Sequence, residues 1–454
     1  MNLNMTFLQE LLPRTVGSLQ KKAARNQFHE TRQEISSLEA LKTACESLMQ
    51  DGGEASRIAV AEAGLKHYAN LSKSERKAFF HLLLNQYSAD SKQIHEAYAK
   101  FRENESNAAL QTLFETCEPR RQNLLRRLNL CPGGTFELVK MRADLLELLR
   151  ENPDLAPIDS DFSHLFASWF NRGFLILESI DWNTPAAILE KIVDYEAVHA
   201  IRDWKDLRNR LDPQDRRCYA FFHPAIGVEP LIFVEVALCR GIPDNVQGIL
   251  QTNDKLPAHE ADTAVFYSIS NCQRGLKGIS FGNFLIKQVV QELKREFSNL
   301  EQFVTLSPLP GFAKWLHGAR ESESVFLSPG AQWFVEKEQW PADQPDQPLL
   351  ASELKSLAAG YLLDAKHSTG TPLDPVARFH LGNGASLHRI NWAGDVSGKG
   401  LRQAHGLMVN YRYELNEIEQ NHEAFSKEGV VVCAPEIRRL ANRKSRSTDA
   451  AANV

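Results

Sequence analysis

Two polar side chains in the second half of the chain are of types that carry out catalysis. Ser307 lies in "TLSPLPGF", where an apolar run of strand length ends at a proline, and His380 lies in "ARFHLGNG", before a turn signal rich in Asn and Gly. Histidine can give and take protons near neutral pH, and a serine hydroxyl is a natural partner for it. Each also has a structural interpretation, since a serine before proline can cap a turn and a lone histidine in an apolar run is commonly structural. His388 and His405 are competing histidines.

A basic, glycine-rich turn lies upstream, in "SNCQRGLKGISFGNFLIKQVV" (270–290). Glycines let the backbone approach a ligand closely, and the start of the following helix offers unpaired N–H groups and a positive dipole end. Arg274 and Lys277 add charge, so the turn suits a pyrophosphate. Gly275 and Gly278 are spaced GxxG, so neither GxGxxG nor GxxxxGK[ST] is present, and a nucleotide triphosphatase is disfavoured. A plain strand-to-helix turn with two surface bases explains the same residues equally well.

The elements expected to position these residues are strands and helices in close alternation. Apolar runs of strand length occupy residues 230–238, 263–270, 303–312, 385–392 and 406–415. Residues 281–297 have the spacing of an amphipathic helix, and a short helix is expected after residue 310. Ser307 then lies at the carboxyl end of a strand, where open α/β sheets bind ligands.

The first part of the chain differs, because its apolar residues recur at three- and four-residue spacing and strand-like runs are absent. We predict an all-helical bundle over 1–165, a mixed-sheet domain over 166–440 and a polar, disordered tail over 441–454. The basic turn resembles the pyrophosphate loop of acetyltransferase-type (GNAT-like) folds, although it departs from their usual spacing, Q/R-x-x-G-x-G/A.

Charge, apolar runs, cysteines and motifs disfavour several functional classes of protein. The 454 residues carry a net charge of −5, so nothing global favours nucleic acid or an anionic membrane. The chain has no apolar run of about 18 residues, no signal-peptide pattern and no C-terminal peroxisomal tripeptide. The seven cysteines form no CxxC pair, and neither HExxH nor GxSxG occurs, which disfavours a metal site and an α/β-hydrolase. We expect a cytoplasmic protein without a metal.

Five stretches of the chain, in order, resemble malonyl-CoA decarboxylases, and the resemblance covers most of the chain. They are "HPAIGVEPLIFVEVAL", "FYSISNCQRGLKGISFGNFLIKQVV", "LSPLPGFAKWL", "ARFHLGNGASLHRINWAGDVSGKGL" and "GLMVNYRYEL". The resemblance implies a helical domain followed by an acetyltransferase-like catalytic domain, assembled as a tetramer built from dimers. Vertebrate members end in a peroxisomal signal that this chain lacks, so the chain looks like a bacterial, cytosolic member.

The resemblance also implies functional residues. Ser307 and His380 match the family's catalytic serine and histidine. The malonyl-CoA-binding stretch matches Arg274, Gly275, Leu276, Lys277, Gly278, Ile279 and Ser280. The family's loop often carries glutamine and glutamate where this chain has Arg274, Lys277 and Ser280, so backbone contacts near Gly275 and Gly278 carry over more directly than side-chain contacts. Further groups expected around the site, which strand and turn packing also explains, are Asn383, Asn410, Tyr411 and Tyr413.

The implied reaction makes chemical sense for these residues. Loss of CO₂ from malonyl-CoA leaves a thioester enolate, whose charge the thioester carbonyl accepts, so no electron-sink cofactor is needed. Fixed hydrogen-bond donors lower the cost of that charge, and a positioned acid must protonate the carbanion. Our hypothesis is that His380 protonates C2, with Ser307 as its hydrogen-bond partner and proton acceptor.

Two other readings stay open from the sequence. A CoA-dependent N-acyltransferase of the GNAT type shares the loop and the fold, but it needs an amine acceptor and a base to deprotonate it. A CoA-binding sensor or scaffold, whose helical half recruits a partner, has no need of a serine and a histidine beside the acyl group.

Overall fold

The computed structural model describes most of the chain. The described residues are 36–50, 52–251, 256–279, 285–337, 340 and 348–442. Ser280 and residues 443–454 of the predicted tail lie outside the described residues.

The first part of the described chain is helical, as predicted. Its helices are α1 (Ser37–Met49), α2 (Glu54–Ala69), α3 (Lys73–Gln86), α4 (Ser91–Glu103), α5 (Asn107–Cys117), α6 (Arg120–Leu128), α7 (Gly134–Leu148) and α8 (Ala156–Trp169). Polar caps begin several of them; at α3, Ser72 and Glu75 form a reciprocal capping box. The "CPGG" stretch separates α6 from α7, with Gly133 in the left-handed region at φ 77°.

The second part of the described chain is built on an eight-stranded mixed sheet. The strands are β1 (Ile176–Ile180), β2 (Arg216–Phe222), β3 (Pro230–Cys239), β4 (Thr263–Asn271), β5 (Gln302–Thr305), β6 (Ser307–Pro308), β7 (Ser386–Asn391) and β8 (Met408–Arg412). Their order is β1-β2-β3-β4-β5-β8-β6, and β7 also pairs with β8. The predicted fold class, a helical bundle followed by a mixed-sheet domain, is confirmed.

Helices connect and flank these strands. They are α9 (Ala186–Tyr195), α10 (Trp204–Leu211), α11 (Gln247–Leu250), α12 (Leu285–Glu296), α13 (Phe312–Glu321), α14 (Pro329–Val335), α15 (Pro348–Leu363), α16 (Pro375–Gly382), α17 (Gly398–Ala404) and α18 (Ile418–Glu428). The helix expected over 281–297 is confirmed from Leu285 to Glu296 as α12, while 281–284 lie outside the described residues. The short helix expected after residue 310 is α13.

The pairing of the strands changes next to Ser307. β4 is antiparallel to β3 but parallel to β5, and this parallel pairing runs from Thr263 to Phe266. The chain then leaves β4, and Ser307 pairs with Val409 of β8 instead. The prediction that the run at 303–312 is a strand that stops at proline is confirmed, since the extended chain ends at Pro308 and α13 begins at Phe312; the extended chain is divided into β5 and β6.

By its internal contacts the described chain forms two compact units. One contains the described residues within 36–177, 221–231 and 272–279, and the other contains those within 178–220, 232–271 and 285–442. The basic turn at 272–279 belongs to the helical unit, although the strand before it and the helix after it belong to the sheet unit. None of the described helices is both long and apolar enough to cross a membrane.

Candidate active site

The structure brings Ser307 and His380 together in the sheet unit. Ser307 lies on β6 and His380 on α16, and both are buried. The Oγ atom of Ser307 is 3.1 Å from Nε2 of His380. The side chain of Asp374 caps α16 by accepting from the backbone N–H groups of Val376 and Ala377, each at 2.9 Å. This cap fixes the start of the helix that carries the histidine.

The other face of the imidazole contacts two tyrosines of the β8 region. Nδ1 of His380 is 2.8 Å from the hydroxyl of Tyr413, and the ring of Tyr411 stacks on the imidazole with 4.7 Å between centroids. Each ring nitrogen of His380 therefore has a hydroxyl partner. Partners of this kind fix the ring orientation and decide which nitrogen carries the proton.

Burial, with no carboxylate to oppose it, lowers the pKa of His380 to about 3. The imidazole is consequently neutral throughout the physiological pH range. Burial likewise raises the pKa of Tyr413 far above its ordinary value, so its hydroxyl keeps its hydrogen.

Thr305 was not predicted from the sequence. Its hydroxyl accepts from Ser307 at 2.8 Å and from the backbone N–H of Tyr411 at 3.1 Å. Its carbonyl accepts from the side-chain amide of Asn410 at 2.7 Å. A signal for Thr305 was available, because residues two apart on a strand point to the same face and Thr305 lies two before Ser307.

The four polar groups expected around the site occupy different positions. Tyr411 and Tyr413 contact His380 directly, whereas Asn410 reaches Ser307 only through Thr305. Asn383 ends α16, and its side-chain amide donates to the carbonyl of Phe379 at 2.7 Å. This contact is typical of a residue at a helix end.

A cavity of about 240 Å³ opens beside the pair. Its wall includes Ser307, His380, Phe266, Ile269, Val376 and Phe379. None of the described residues that line it carries a formal charge. An anionic group inside this cavity would lose its hydration without gaining an ion pair.

The basic turn is held in place by hydrogen bonds from α7. Arg142, which is buried, donates from Nη1 to the carbonyl oxygens of Gly275 at 2.7 Å and Lys277 at 3.0 Å. A Cβ atom at Gly275 would lie 1.8 Å from the carbonyl oxygen of Val139, so only glycine fits there. Arg142 was not predicted from the sequence either, because it lies 133 residues before Gly275.

The remaining side chains of the turn divide into buried and exposed groups. Leu276 and Ile279 are buried and anchor the turn, and Gly278 adopts a left-handed φ of 80°. Arg274 is 87% exposed, with a carboxylate oxygen of Glu147 at 3.6 Å from its guanidinium, and Lys277 is also exposed. The turn is thus a rigid backbone with two cations in solvent. Among the described residues no group of three His, Cys, Asp or Glu side chains is arranged to hold a metal ion.

The low pKa of His380 makes stability depend on pH. Between pH 3 and 6.5 the folded protein binds fewer protons at this side chain than the unfolded chain does, so its contribution, complete above pH 6.5, is lost as the pH falls. Replacing His380 with Gln removes the titration, so the free energy of unfolding should depend less steeply on pH, by up to about 1.4 kcal/mol per pH unit. Urea denaturation of both proteins between about pH 5 and 7 measures the difference. Parallel pH dependences would contradict a low pKa for His380.

Family models match the chain in two consecutive segments. The model "Malonyl-CoA decarboxylase C-terminal domain" matches residues 173–451, and "Malonyl-CoA decarboxylase N-terminal domain" matches residues 87–170. Among curated proteins, the mitochondrial malonyl-CoA decarboxylase of the goose Anser anser anser is 37% identical over 400 residues, which is 80% of this chain and 79% of that protein. The mouse protein of the same name is 40% identical over 332 residues, 67% of each.

Solved structures agree with these matches. The crystal structure of malonyl-CoA decarboxylase from Rhodopseudomonas palustris has a TM-score of 0.84 and 50% identity, covering 89% of this chain and 100% of that one. The enzyme of the same name from Agrobacterium vitis gives 0.83 and 50%, covering 88% of this chain and 99% of that one.

Proposed function

The chain belongs to the malonyl-CoA decarboxylase family, and on that premise we propose that it converts malonyl-CoA to acetyl-CoA and CO₂ through a thioester enolate. The observation that supports this most is the hydrogen-bonded pair of Ser307 and His380 beside a cavity without charged lining residues. Both side chains are the proposed catalytic residues.

The uncharged cavity favours loss of CO₂. The malonyl carboxylate carries its charge into an apolar space, where no described lining residue neutralises it. As the bond to CO₂ breaks, that charge moves onto the thioester oxygen. Hydrogen-bond donors beside the thioester stabilise the charge where it develops, which lowers the barrier. A lysine or arginine on the carboxylate would stabilise the ground state instead.

The second step adds one proton to C2 of the enolate. The hydrogen on Nε2 of His380 moves to C2, and the new C–H bond completes acetyl-CoA; a proton from solvent then restores the imidazole. The donor is neutral, because burial keeps the pKa of His380 near 3. A thioester enolate is a strong enough base to take a proton from a neutral imidazole, so no imidazolium is required. Before substrate binds, Ser307 accepts from the Nε2–H group, which keeps the hydrogen on the nitrogen that gives it to C2.

Binding of the CoA portion is proposed at two further places. The turn formed by Arg274, Gly275, Leu276, Lys277, Gly278, Ile279 and Ser280 binds the pyrophosphate, with charge supplied by the exposed Arg274 and Lys277. The pairing of β4 with β5 ends at Phe266, and Tyr267, Ile269 and Asn271 of β4 line the cavity. The amides of the pantetheine arm are proposed to lie along this part of β4 and to bond to its backbone.

An assay with purified protein and malonyl-CoA tests this function. Release of CO₂ and formation of acetyl-CoA without any added amine is the expected result. Transfer of the acyl group only when an amine is present would instead make the protein an N-acyltransferase. Binding of malonyl-CoA without any turnover would make it a CoA-binding sensor.

We also propose that residues 1–165 serve self-association, as a tetramer built from dimers. Helices α4 and α5 pack on each other, and α5 buries no residue of its own. Their apolar side chains are open to solvent: Tyr98 is 50% exposed, Leu110 49% and Phe114 79%. Apolar residues grouped in this way are typical of protein–protein contacts.

The cysteines of the chain are free thiols, which suits a reducing compartment. We therefore propose that the protein works in the cytoplasm.

Replacing Phe114 with Ser should weaken this assembly. Sedimentation velocity at several protein concentrations is expected to show a shift toward smaller species in the variant. Replacing Phe326, an equally exposed phenylalanine of the sheet unit, is the matched control and should leave sedimentation unchanged. An unaltered assembly in the Phe114 variant would exclude α5 from the contact.

A further inference from the structure

Thr305 makes three hydrogen bonds beside the pair formed by Ser307 and His380. It is completely buried at the end of β5. Its hydroxyl is 2.8 Å from Oγ of Ser307, and the backbone N–H of Tyr411 donates to the same oxygen. The side-chain amide of Asn410 holds its carbonyl at 2.7 Å. These contacts fix both the backbone and the hydroxyl of Thr305 relative to β8.

The hydroxyls and the imidazole form a single chain of hydrogen bonds. It runs from Thr305 to Ser307 at 2.8 Å, from Ser307 to His380 at 3.1 Å, and from His380 to Tyr413 at 2.8 Å. Each hydroxyl has one hydrogen, and a neutral imidazole has one N–H group. The chain therefore has two possible directions, and each direction corresponds to one tautomer of His380.

The contact with Thr305 selects one direction. When Ser307 donates to the threonine hydroxyl, its lone pairs face His380 and accept the Nε2–H group. Nδ1 is then the unprotonated nitrogen and accepts from Tyr413, which keeps its hydrogen. If Ser307 donates to Nε2 instead, the proton must lie on Nδ1, where the hydroxyl of Tyr413 accepts it.

We infer that Thr305 is a positioning residue, which holds the hydroxyl of Ser307 so that neutral His380 carries its proton on Nε2. This inference rests on the proposed function, in which that proton goes to C2 of the enolate. Thr305 itself does not touch the reacting atoms. Thr305 raises the fraction of enzyme molecules in which His380 has the reactive tautomer before substrate binds.

Two substitutions at this position separate the hydroxyl from the packing. Thr305→Val keeps the shape of the side chain but cannot accept from Ser307, so kcat should fall about 10- to 100-fold while KM changes little. Thr305→Ser keeps the hydroxyl and should retain kcat within about 3-fold of the unmodified protein, a change well below one such proton-transfer effect. Thr263→Val is the matched control, since Thr263 is an equally buried threonine of the same sheet, whose hydroxyl bonds to Asp262.

A second readout does not depend on turnover. Nitrogen-15 NMR of labelled imidazoles distinguishes Nε2–H from Nδ1–H histidine, and the His380 signal is identified by its loss in the His380→Gln variant. We expect the Nε2–H form in the unmodified protein and in Thr305→Ser, and a shift toward Nδ1–H in Thr305→Val. An unchanged tautomer, or unmodified kcat in Thr305→Val, would overturn the inference. Full activity of a Ser307 or His380 variant would instead overturn the proposed mechanism, whatever the tautomer.

Discussion

Replacing His380 with alanine is expected to lower kcat for malonyl-CoA decarboxylation by about 10²- to 10⁴-fold, the usual range for a positioned acid or base. The enolate would still form, but it would have no nearby donor at C2 and would return to malonyl-CoA by recapturing CO₂. Affinity for the CoA ester should change little, because the proposed CoA contacts lie on the turn and on β4. Steady-state kinetics, with a separate binding measurement on acetyl-CoA, gives both numbers.

Ser307→Ala should lower kcat in the same direction, since it removes the group that accepts from Nε2 of His380. The double variant is expected to be no slower than His380→Ala alone, because residues that act as one unit are not additive. His388→Ala is the matched control: His388 lies on β7 and was a competing histidine in the sequence. Turnover near that of the unmodified protein in both single variants would contradict the catalytic roles of Ser307 and His380. A large loss of kcat in the control would contradict them as well.

Most of the sheet elements were predictable because their sequences follow short-range rules. The continuous apolar run from Pro230 to Cys239 predicts a strand buried on both faces, and the strand before Ser307 ends at the proline that follows it. Ser307 and His380 were identified through resemblance to a family. Neither residue type alone separates a catalytic role from a structural one.

The contacts that fix the site could not be predicted from the sequence, and the reason is physical. Tyr413 bonds to His380 from 33 residues away, and Thr305 bonds to the backbone of Tyr411 across 106. Pairings over such separations depend on strand order and on where β5 leaves β4, and local patterns do not encode either. The same holds for Arg142, whose bonds to the turn follow from the packing of α7.

Replacing Gly275 with alanine is expected to destabilise the protein by about 3 kcal/mol or more, at the upper end of overpacking effects. The added methyl group would lie 1.8 Å from the carbonyl oxygen of Val139, which belongs to the backbone of α7 and cannot rotate away. The turn must therefore move, and its carbonyls lose their hydrogen bonds to Arg142. If the turn binds the pyrophosphate, affinity for CoA esters should fall at least about 10-fold, equivalent to about 1.4 kcal/mol.

Two other glycines separate this steric effect from effects of backbone freedom. Gly278→Ala meets no neighbouring atom, but its φ of 80° is unfavourable for alanine and should cost about 1–2 kcal/mol. Gly318→Ala lies within α13 in open space, where alanine should stabilise by about 1 kcal/mol. Urea denaturation and calorimetric titration with CoA on all three variants test the ranking. A Gly275 variant as stable as the Gly318 variant would contradict the close approach to α7. If the Gly275 variant were destabilised but bound CoA with unchanged affinity, the turn would be a structural connection and not the pyrophosphate site.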